Sequence, residues 1–386
     1  MPIDLTDEQK QILDTLRKFL DKEIAPHVSR WDHEDSYPDA ALDGFKKMGL
    51  FGATIPQEYG GLGWNTSTYA LVVMELAHCW MTLSSMLNTQ LMMAAAVKNF
   101  GTPEQKKRWL PKMAAGEMRG GLALSEAHGG SDVAAMKTRA IRKGDFYIVN
   151  GSKMWITNSD GNAFFLLAKT NPDASPPHSG ISGFLIEKGH PGFKVSKKIP
   201  KLGLRGIPTS ELVFEDFPVP VENLVGGPEA EGKGFFQVMN GLELGRINVA
   251  ARSCGVLRAE FEASVKYAQE RETFGKPIWQ HQLVGEKLAN MSTDLEAAEL
   301  LVMRAAKKKD RGERCDLEAS MAKLFASEAC AKHALEAMRI HGGYGFSEEF
   351  TIERMYRDAP LMIIGEGSNE VLKTLIAKNL VKKHEI

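Results

Sequence analysis

Three short segments carry residue types capable of chemistry. PLMIIGEGSNE (360–370) drives an apolar run straight into Glu366, which Gly365 and Gly367 flank. A carboxylate delivered by an apolar segment is partly desolvated, which raises its pKa and suits it to take a proton near neutral pH. The plainer reading of the same letters is a solvated acid in an interhelical loop. The glycines tilt toward the first, since they let backbone approach a ligand closely. KMWITN (153–158) sets Trp155 and Thr157 on one face of a strand, an indole beside a hydroxyl that could pack on a flat conjugated ring and hydrogen-bond its edge. ALSEAHGGSD (123–132) offers small residues whose N–H groups can approach a polar ring or a diphosphate. A core tryptophan and an ordinary loop are the plain alternatives for these two.

Much other chemistry is excluded. No G-x-G-x-x-G, Walker loop, G-x-S-x-G elbow or HExxH occurs, which weakens nicotinamide, ATP, serine-hydrolase and zincin readings. Lys plus Arg (48) against Asp plus Glu (49) leaves a formal net charge of -1, so no basic field draws nucleic acid. Cys79, Cys254, Cys315 and Cys330 lack CxxC spacing, which speaks against zinc or a disulfide framework and for a reducing, cytoplasmic setting. His281 and His341 have no carboxylate or cysteine at ligand spacing, so no metal is expected. MPIDLTDEQK lacks the features of a secretory signal, and no apolar run of about 18 residues occurs, so no membrane association is expected. Lys307, Lys308, Lys309, Arg311, Lys382 and Lys383 read as solvated helix-end charges.

The elements that must position these segments fall into three parts within 386 residues, long enough for two or three packed units. Thr6 and Gln9 form a capping-box pattern ahead of a helix, and further helical stretches run near 38–50, 66–100 and 103–115, broken at Gly60–Gly63 and at Gly101-Thr102-Pro103. Asn150-Gly151 between two strand-like runs predicts a tight hairpin. Strands follow at 163–170, 181–188, 193–198 and 210–220, as in a small barrel or sandwich. Helices return near 234–269, 280–309, 317–340 and 369–383, with Gly342-Gly343 as a stop and Ser368 as an N-cap, suggesting a bundle.

Taken in order, the motifs resemble the acyl-CoA dehydrogenase family along essentially the whole chain. ALSEAHGGSD is similar to its first signature, KMWITN to its flavin-contacting strand, RETFG (271–275) with Gln282 to the stretch that reaches a neighbouring subunit's FAD, IHGGYGF (340–346) to its glycine loop and GEGSNE (365–370) to its catalytic loop. The resemblance implies an α+β multidomain fold: a helical domain (1–120), a β-barrel or sandwich domain (121–232) and a four-helix bundle (233–386), assembled as a homotetramer, a dimer of dimers. It implies FAD as cofactor, an acyl-CoA as substrate, and electron-transfer flavoprotein as partner, in the catabolism of fatty or amino acids.

Residue by residue, the resemblance puts Leu124 and Ser125 on the flavin pyrimidine, Ser131 on cofactor or CoA phosphates, and Trp155 with Thr157 on the ring and its N5 edge. Arg271, Phe274 and Gln282 would hold the adenosine and diphosphate end across the dimer interface, joined by Ile340, His341, Gly342 and Gly343, with Ser368 and Glu370 near the cofactor. Glu243 and Arg246, in LELGR, would lie beside the CoA part of the substrate, with Gly365 and Gly367 beside its acyl part. Glu366 becomes the base for the α-proton while the β-hydrogen leaves as hydride, giving a trans-2-enoyl-CoA. Some members carry the base at the position of Gly245; its glycine here keeps the role at Glu366. Two departures stand out: the usual Thr-Glu-Pro is Ser125-Glu126-Ala127, and the usual aromatic before the glutamate is Gly365, which should widen the cavity. A short, branched or cyclic acyl group is therefore expected, with an isobutyryl-CoA-like catalytic loop and with short straight chains as the competing reading. An acyl-CoA oxidase using O₂ and a non-catalytic CoA-binding scaffold are the alternatives.

Overall fold

Thr6 accepts from the Gln9 N–H while Gln9 reaches back to the Thr6 N–H, and this reciprocal cap starts the first helix of the computed structural model, which describes residues 4–384. The N-terminal part contains α1 (Asp7–Phe19), α2 (Val28–His33), α3 (Asp39–Lys47), α4 (Thr66–Cys79), α5 (Met81–Phe100) and α6 (Pro103–Ala114). A second capping box, Thr102 with Gln105, opens α6 with Pro103 in its first turn. The stretch expected as one helix over 66–100 breaks at Trp80, whose backbone is extended (φ -163°). Burial explains the break: Trp80 is 1% exposed and stacks on Trp31 with ring centroids 6.5 Å apart.

The middle part is β1 (Gly120–Ala123), β2 (Arg139–Lys143), β3 (Phe146–Thr157), β4 (Ala163–Lys169), β5 (Ile181–Glu187), β6 (Phe193–Val195) and β7 (Thr209–Pro220). They form one sheet in the order β1-β4-β2-β3-β7-β6, with β5 added to β4. β1 runs parallel to β4, while β2–β3, β3–β7, β4–β5 and β6–β7 are antiparallel. The hairpin expected at Asn150-Gly151 is not there: both residues lie inside β3, at a register shift against β7. Asn150 exchanges hydrogen bonds with Asp216 across that bulge, and a Cβ at Gly151 would lie 2.7 Å from the Thr138 Cα. Glycine is needed there for close approach and not for a turn. The reversal falls at Gly144 (φ +62°), between β2 and β3.

The C-terminal part holds α7 (Gly234–Glu270), a two-stranded ribbon of β8 (Glu272–Thr273) and β9 (Lys276–Pro277), then α8 (Gln282–Asp310), α9 (Asp316–His341), α10 (Ile352–Ile364) and α11 (Asn369–Lys383). In this bundle α9 packs on α7, α8, α10 and α11. The sequence did not announce α10, because Pro360 lies inside it; one lost N–H is tolerated where the helix face carrying Ile352, Ala359 and Met362 is buried. α4 and α5 are buried on nearly every face. One continuous core joins α1, α3, α4 and α5 to α7, α8 and α9, and a second joins α5 and α6 to the sheet through Met93, Val97, Phe165 and Leu185. α5 thus belongs to both cores and holds sheet and bundle in a fixed relation.

Candidate active site at the junction of sheet and bundle

Between α10 and α11 the chain turns through Gly365, Glu366 (φ +57°) and Gly367 (φ +89°). A side-chain-bearing residue in the left-handed region costs about 1–3 kcal/mol and persists only where its surroundings over-determine it. Lys323 of α9 supplies that constraint. Its Nζ donates to Ile363 O (3.0 Å), Gly367 O (2.9 Å) and Asn369 Oδ1 (2.7 Å), gripping the loop on both sides of Glu366. Burial pulls this fully enclosed ammonium down to about 8, against the opposing pull of Glu366.

The Glu366 carboxylate turns inward. Asn88 of α5 donates to its Oε1 at 3.2 Å, and its Oε2 lies over Gly245 of α7, where a Cβ would come within 2.6 Å. Met92 closes the same spot from α5. Desolvation raises the carboxyl pKa above its ordinary value, partly offset by Arg252, the Asn88 hydrogen bond, Arg246 and Lys323. The result is a carboxylate that accepts a proton more readily than a solvated one. Gly365 has open space around it, with only Leu361 O near a would-be Cβ, at 3.4 Å.

The next residue along α5, Thr89, faces the sheet. Asn158, at the end of β3, donates to Thr89 Oγ1 at 2.7 Å, and Thr89 donates to Gly120 O at 3.1 Å. Asn88 and Thr89 thus tie the Glu366 loop and the KMWITN strand to one turn of one helix. Between Lys153 and Ile156 the β3–β7 register shifts, and Trp155 takes φ +64° with its indole 59% exposed. The bulge re-aims it, so Trp155 is not a core tryptophan. Ile156 is buried on the opposite side, and Thr157 returns to the Trp155 side, half-buried, with its hydroxyl 3.4 Å from that of Thr209.

Beneath this strand lies a buried ion pair. Lys153 Nζ donates to Glu126 Oε1 (2.8 Å) and to Leu124 O (3.0 Å), and Glu126 also accepts from Thr138 and from the Lys137 N–H. Desolvation works against the Glu126 charge, but Lys153 and these donors override it and hold the carboxyl at about 2. Ser125 Oγ donates to Met154 O at 2.7 Å. Leu124 and Ser125 are therefore locked to the strand bearing Trp155, both half-buried beside it.

A separate cleft of about 530 Å³ opens where α7 meets the end of α9, lined among others by Tyr267, Arg271, Ile340, His341, Gly342 and Gly343. The His341 ring stacks on Tyr267 at 4.3 Å, and nothing lies within 4 Å of a would-be Cβ on Gly342 or Gly343. A cation, stacked rings and bare backbone suit a nucleotide and its diphosphate. Phe274 (φ +53°) stands 96% exposed on the β8–β9 ribbon, and Gln282, Ser131 and Glu370 lie outside this lining. Ser368 occupies the N-cap position of α11 without a side-chain capping bond.

Two expectations change. Lys308 and Lys309 are not merely solvated: Lys308 pairs with Glu318 at 2.8 Å and Lys309 with Glu243 at 2.6 Å, and Arg311 pairs with Glu313. Glu243 is thereby committed to Lys309, with Cys315 Sγ also donating to it at 3.6 Å, while Arg246, 9% exposed, keeps its Nε without a partner. The sequence reading missed Asn88, Thr89, Lys323, Arg252 and the Lys153–Glu126 pair. Polar residues such as Asn88 and Thr89 inside an otherwise apolar helical run were the available signal.

A desolvated carboxylate one helix away from a strand that presents an aromatic ring and a hydroxyl is an arrangement able to pair a proton acceptor with a flat redox cofactor. Matches to the acyl-CoA dehydrogenase N-terminal domain (residues 6–117), middle domain (121–217) and C-terminal domain (232–381) cover the chain. An acyl-CoA dehydrogenase of Bacillus subtilis (strain 168) is 40% identical, over 98% of this chain and 99% of that one. The structure of butyryl-CoA dehydrogenase from Megasphaera elsdenii superposes with a TM-score of 0.94 at 37% identity, covering 99% and 100% of the two chains. A chain from a structure named for the electron transferring flavoprotein of Acidaminococcus fermentans gives 0.93 at 38%, again covering 99% and 100%. The chain belongs to the acyl-CoA dehydrogenase family and is an FAD-dependent oxidoreductase. Its residues fit that cofactor: Trp155 and Thr157 offer a ring face and a hydroxyl, and the Arg271 cleft offers a nucleotide cradle.

Proposed function

We propose that this enzyme oxidises the Cα–Cβ bond of an acyl-CoA thioester to the trans-2-enoyl-CoA, with Glu366 removing the α-proton. The observation that carries this reading is the inward Glu366 carboxylate, held at φ +57° and seated against Gly245 and Asn88. Bound FAD would supply the acceptor for the β-hydride. Leu124, Ser125, Trp155 and Thr157 orient the ring system, while Arg271, Phe274 and Gln282, joined by Ile340, His341, Gly342 and Gly343, hold the nucleotide end across a subunit interface; Ser131 takes cofactor or CoA phosphates, and Ser368 and Glu370 lie near the cofactor. Arg246 steers the CoA part.

The α-proton of a thioester is weakly acidic, so the enolate that develops on its oxygen needs oriented donors, and the Glu366 N–H is the one this loop contributes. Met92, Asn88 and Gly245 crowd the half-buried carboxylate from one side, and this desolvation keeps its pKa raised until it receives the proton. The open space at Gly365 supports a short acyl group that is branched or cyclic rather than long and straight.

The same reading includes electron-transfer flavoprotein as acceptor, in line with the flavoprotein for which one similar structure is named, and a homotetrameric assembly, which the exposed Phe274 and Phe346 support. It also divides the chain into units at 1–120, 121–232 and 233–386. Among the described residues no helix is long and apolar enough to cross a membrane, and a cytoplasmic location accords with the four free cysteines.

Glu366→Gln tests the base. The variant should keep its FAD yet lose flavin bleaching by acyl-CoA under anaerobic conditions, by about 10²–10⁴-fold in rate. Bleaching at the wild-type rate would place the base elsewhere.

A further inference from the structure

Arg252 of α7 is 5% exposed, and the one hydrogen bond its guanidinium makes among the described residues runs from Nη2 to Asn248 Oδ1 at 2.9 Å. Its Nε has no partner, and among the described residues no carboxylate lies in salt-bridge contact with it. A buried, unpaired guanidinium is costly, and proteins retain one where an anion completes it.

The position of Arg252 says which anion. Seven residues separate it from Gly245, so two helical turns return it to the face on which Glu366 sits. Helical side chains lean toward the N-terminus, and the bond to Asn248, one turn earlier, shows this lean toward the base. The guanidinium therefore stands about one turn, roughly 5 Å along the axis, beyond the level of Gly245. A substituent at the far end of a four- or five-carbon acyl chain lies within that reach.

The charges around this space are unbalanced. α7 contributes Arg246 and Arg252, and α9 contributes Lys323. Against them stands Glu366, while Tyr69 of α4 and Asn88 of α5 are neutral. Asp358 of α10 is occupied by the Leu204 N–H at 2.6 Å, and burial pushes it up to about 7. With Arg246 directed to CoA and Lys323 used up on loop carbonyls, Arg252 faces only Glu366, whose charge is cancelled once it takes the α-proton, so the guanidinium then has no standing counter-ion.

We infer that Arg252 receives a carboxylate carried by the acyl group, so that the substrate is the CoA monothioester of a short dicarboxylic acid. This rests on the dehydrogenase reading above and adds the charge of the acyl end. The carboxylate pairs with the free Nε side of the guanidinium, Asn248, itself donating to the Tyr69 hydroxyl, holds Nη2, and Cα and Cβ come to lie beside Glu366.

The test uses the purified holoenzyme with glutaryl-CoA and succinyl-CoA against 5-methylhexanoyl-CoA, a neutral isostere of the first, and isobutyryl-CoA. Anaerobic flavin bleaching should give a kcat/KM at least about 10²-fold higher for the better carboxylated thioester than for either neutral one. Compared at a pH above the acid limb of both proteins, where Glu366 is ionised, Arg252→Gln should remove that preference, losing about 10²-fold on the carboxylated substrate and only a few-fold on the neutral ones, and Arg252→Lys should restore part of it. A wild type that prefers the neutral thioesters overturns the inference while leaving the dehydrogenase reading standing. So does a variant that loses both classes equally, since Arg252 would then act only through Glu366. Failure of every thioester to bleach the flavin overturns both readings. Should the variants not fold, the wild-type ratio decides alone.

Discussion

The absent side chain of Gly245 is the seat of the Glu366 carboxylate: a Cβ built on Gly245 would stand 2.6 Å from Glu366 Oε2 and 2.9 Å from Met92 Sδ. The carboxylate proposed as the base and any side chain at position 245 would thus claim one point in space. Only one of the two residues can own a side chain there.

Gly245→Ala should therefore displace the carboxylate by a few tenths of an ångström or more without disturbing α7, where alanine is the better helix former. Misplacement of a reacting group by about 1 Å can cost about 10²-fold. Stopped-flow flavin reduction should slow by one to two orders of magnitude while FAD content and Tm stay near wild type. Unchanged reduction would mean that the base does not use this seat.

The acid limb of kcat/KM should lie above the ordinary carboxylate range. Burial raises the Glu366 pKa, and only the ionised form can take a proton, so activity grows as pH rises through the elevated value. Arg252 on α7, Arg246 on α7 and Lys323 on α9 all hold that value down, as does Asn88 on α5. Lys323→Met removes one positive charge and the grip on Ile363 O and Gly367 O. The limb should then move to higher pH, and kcat should fall more than KM rises. A variant with an unmoved pH profile and a merely lower Tm would reduce Lys323 to a structural role.

Gly365 has φ -70° and ψ 156°, a conformation that any residue adopts, and free space at its Cβ. Gly365→Tyr should fill the space beside the reacting carbons at little cost to stability. Competition between straight and branched thioesters of equal carbon number should shift toward the straight one by about 10-fold or more. An unaltered ratio would show that the bulk of the acyl group is accommodated elsewhere.

Lys153 and Glu126 form a buried pair under the loop of Leu124 and Ser125, with side chains 0% and 6% exposed. Removing one partner strands the other charge, at a cost of about 3–5 kcal/mol. Lys153→Met should lower Tm and FAD retention together, because Leu124 O loses the same donor. The Glu126 carboxyl is held at about 2, below its unfolded value, so the stability it contributes is present above the unfolded pKa and declines as pH falls toward 2. Acid titration of the Tm of wild type against Glu126→Gln isolates that contribution; parallel curves would argue against it.

Local rules made some of this molecule legible from its letters. The capping box at Thr6, the helix boundary at Gly101-Thr102-Pro103, the glycine stop after His341 and the three-part order of helices, strands and helices follow from short-range chemistry that survives folding unchanged. Glu366 could be singled out because an apolar run ending in Gly-Glu-Gly is itself a local pattern. Asn150-Gly151 misled for a related reason: the pair has the conformational freedom of a turn, but its partner β7 runs on past it, and the close approach of Thr138 decided that the glycine would serve a bulge. The break at Trp80 and the helix carrying Pro360 were likewise decided by burial and not by propensity.

What surrounds the base was invisible in sequence, because Asn88, Gly245, Arg252, Lys323 and Glu366 come from three helices and a loop, with Asn88 and Glu366 themselves 278 positions apart. No periodicity relates them. The chain by itself determined which carboxylate could act and which family of folds would carry it. Tertiary packing alone decided that Lys323 grips the loop, that the Glu366 carboxylate sits over Gly245 and that Arg252 stands buried without a salt-bridge contact among the described residues, since desolvation and charge pairing depend on distances that exist only once the helices have met.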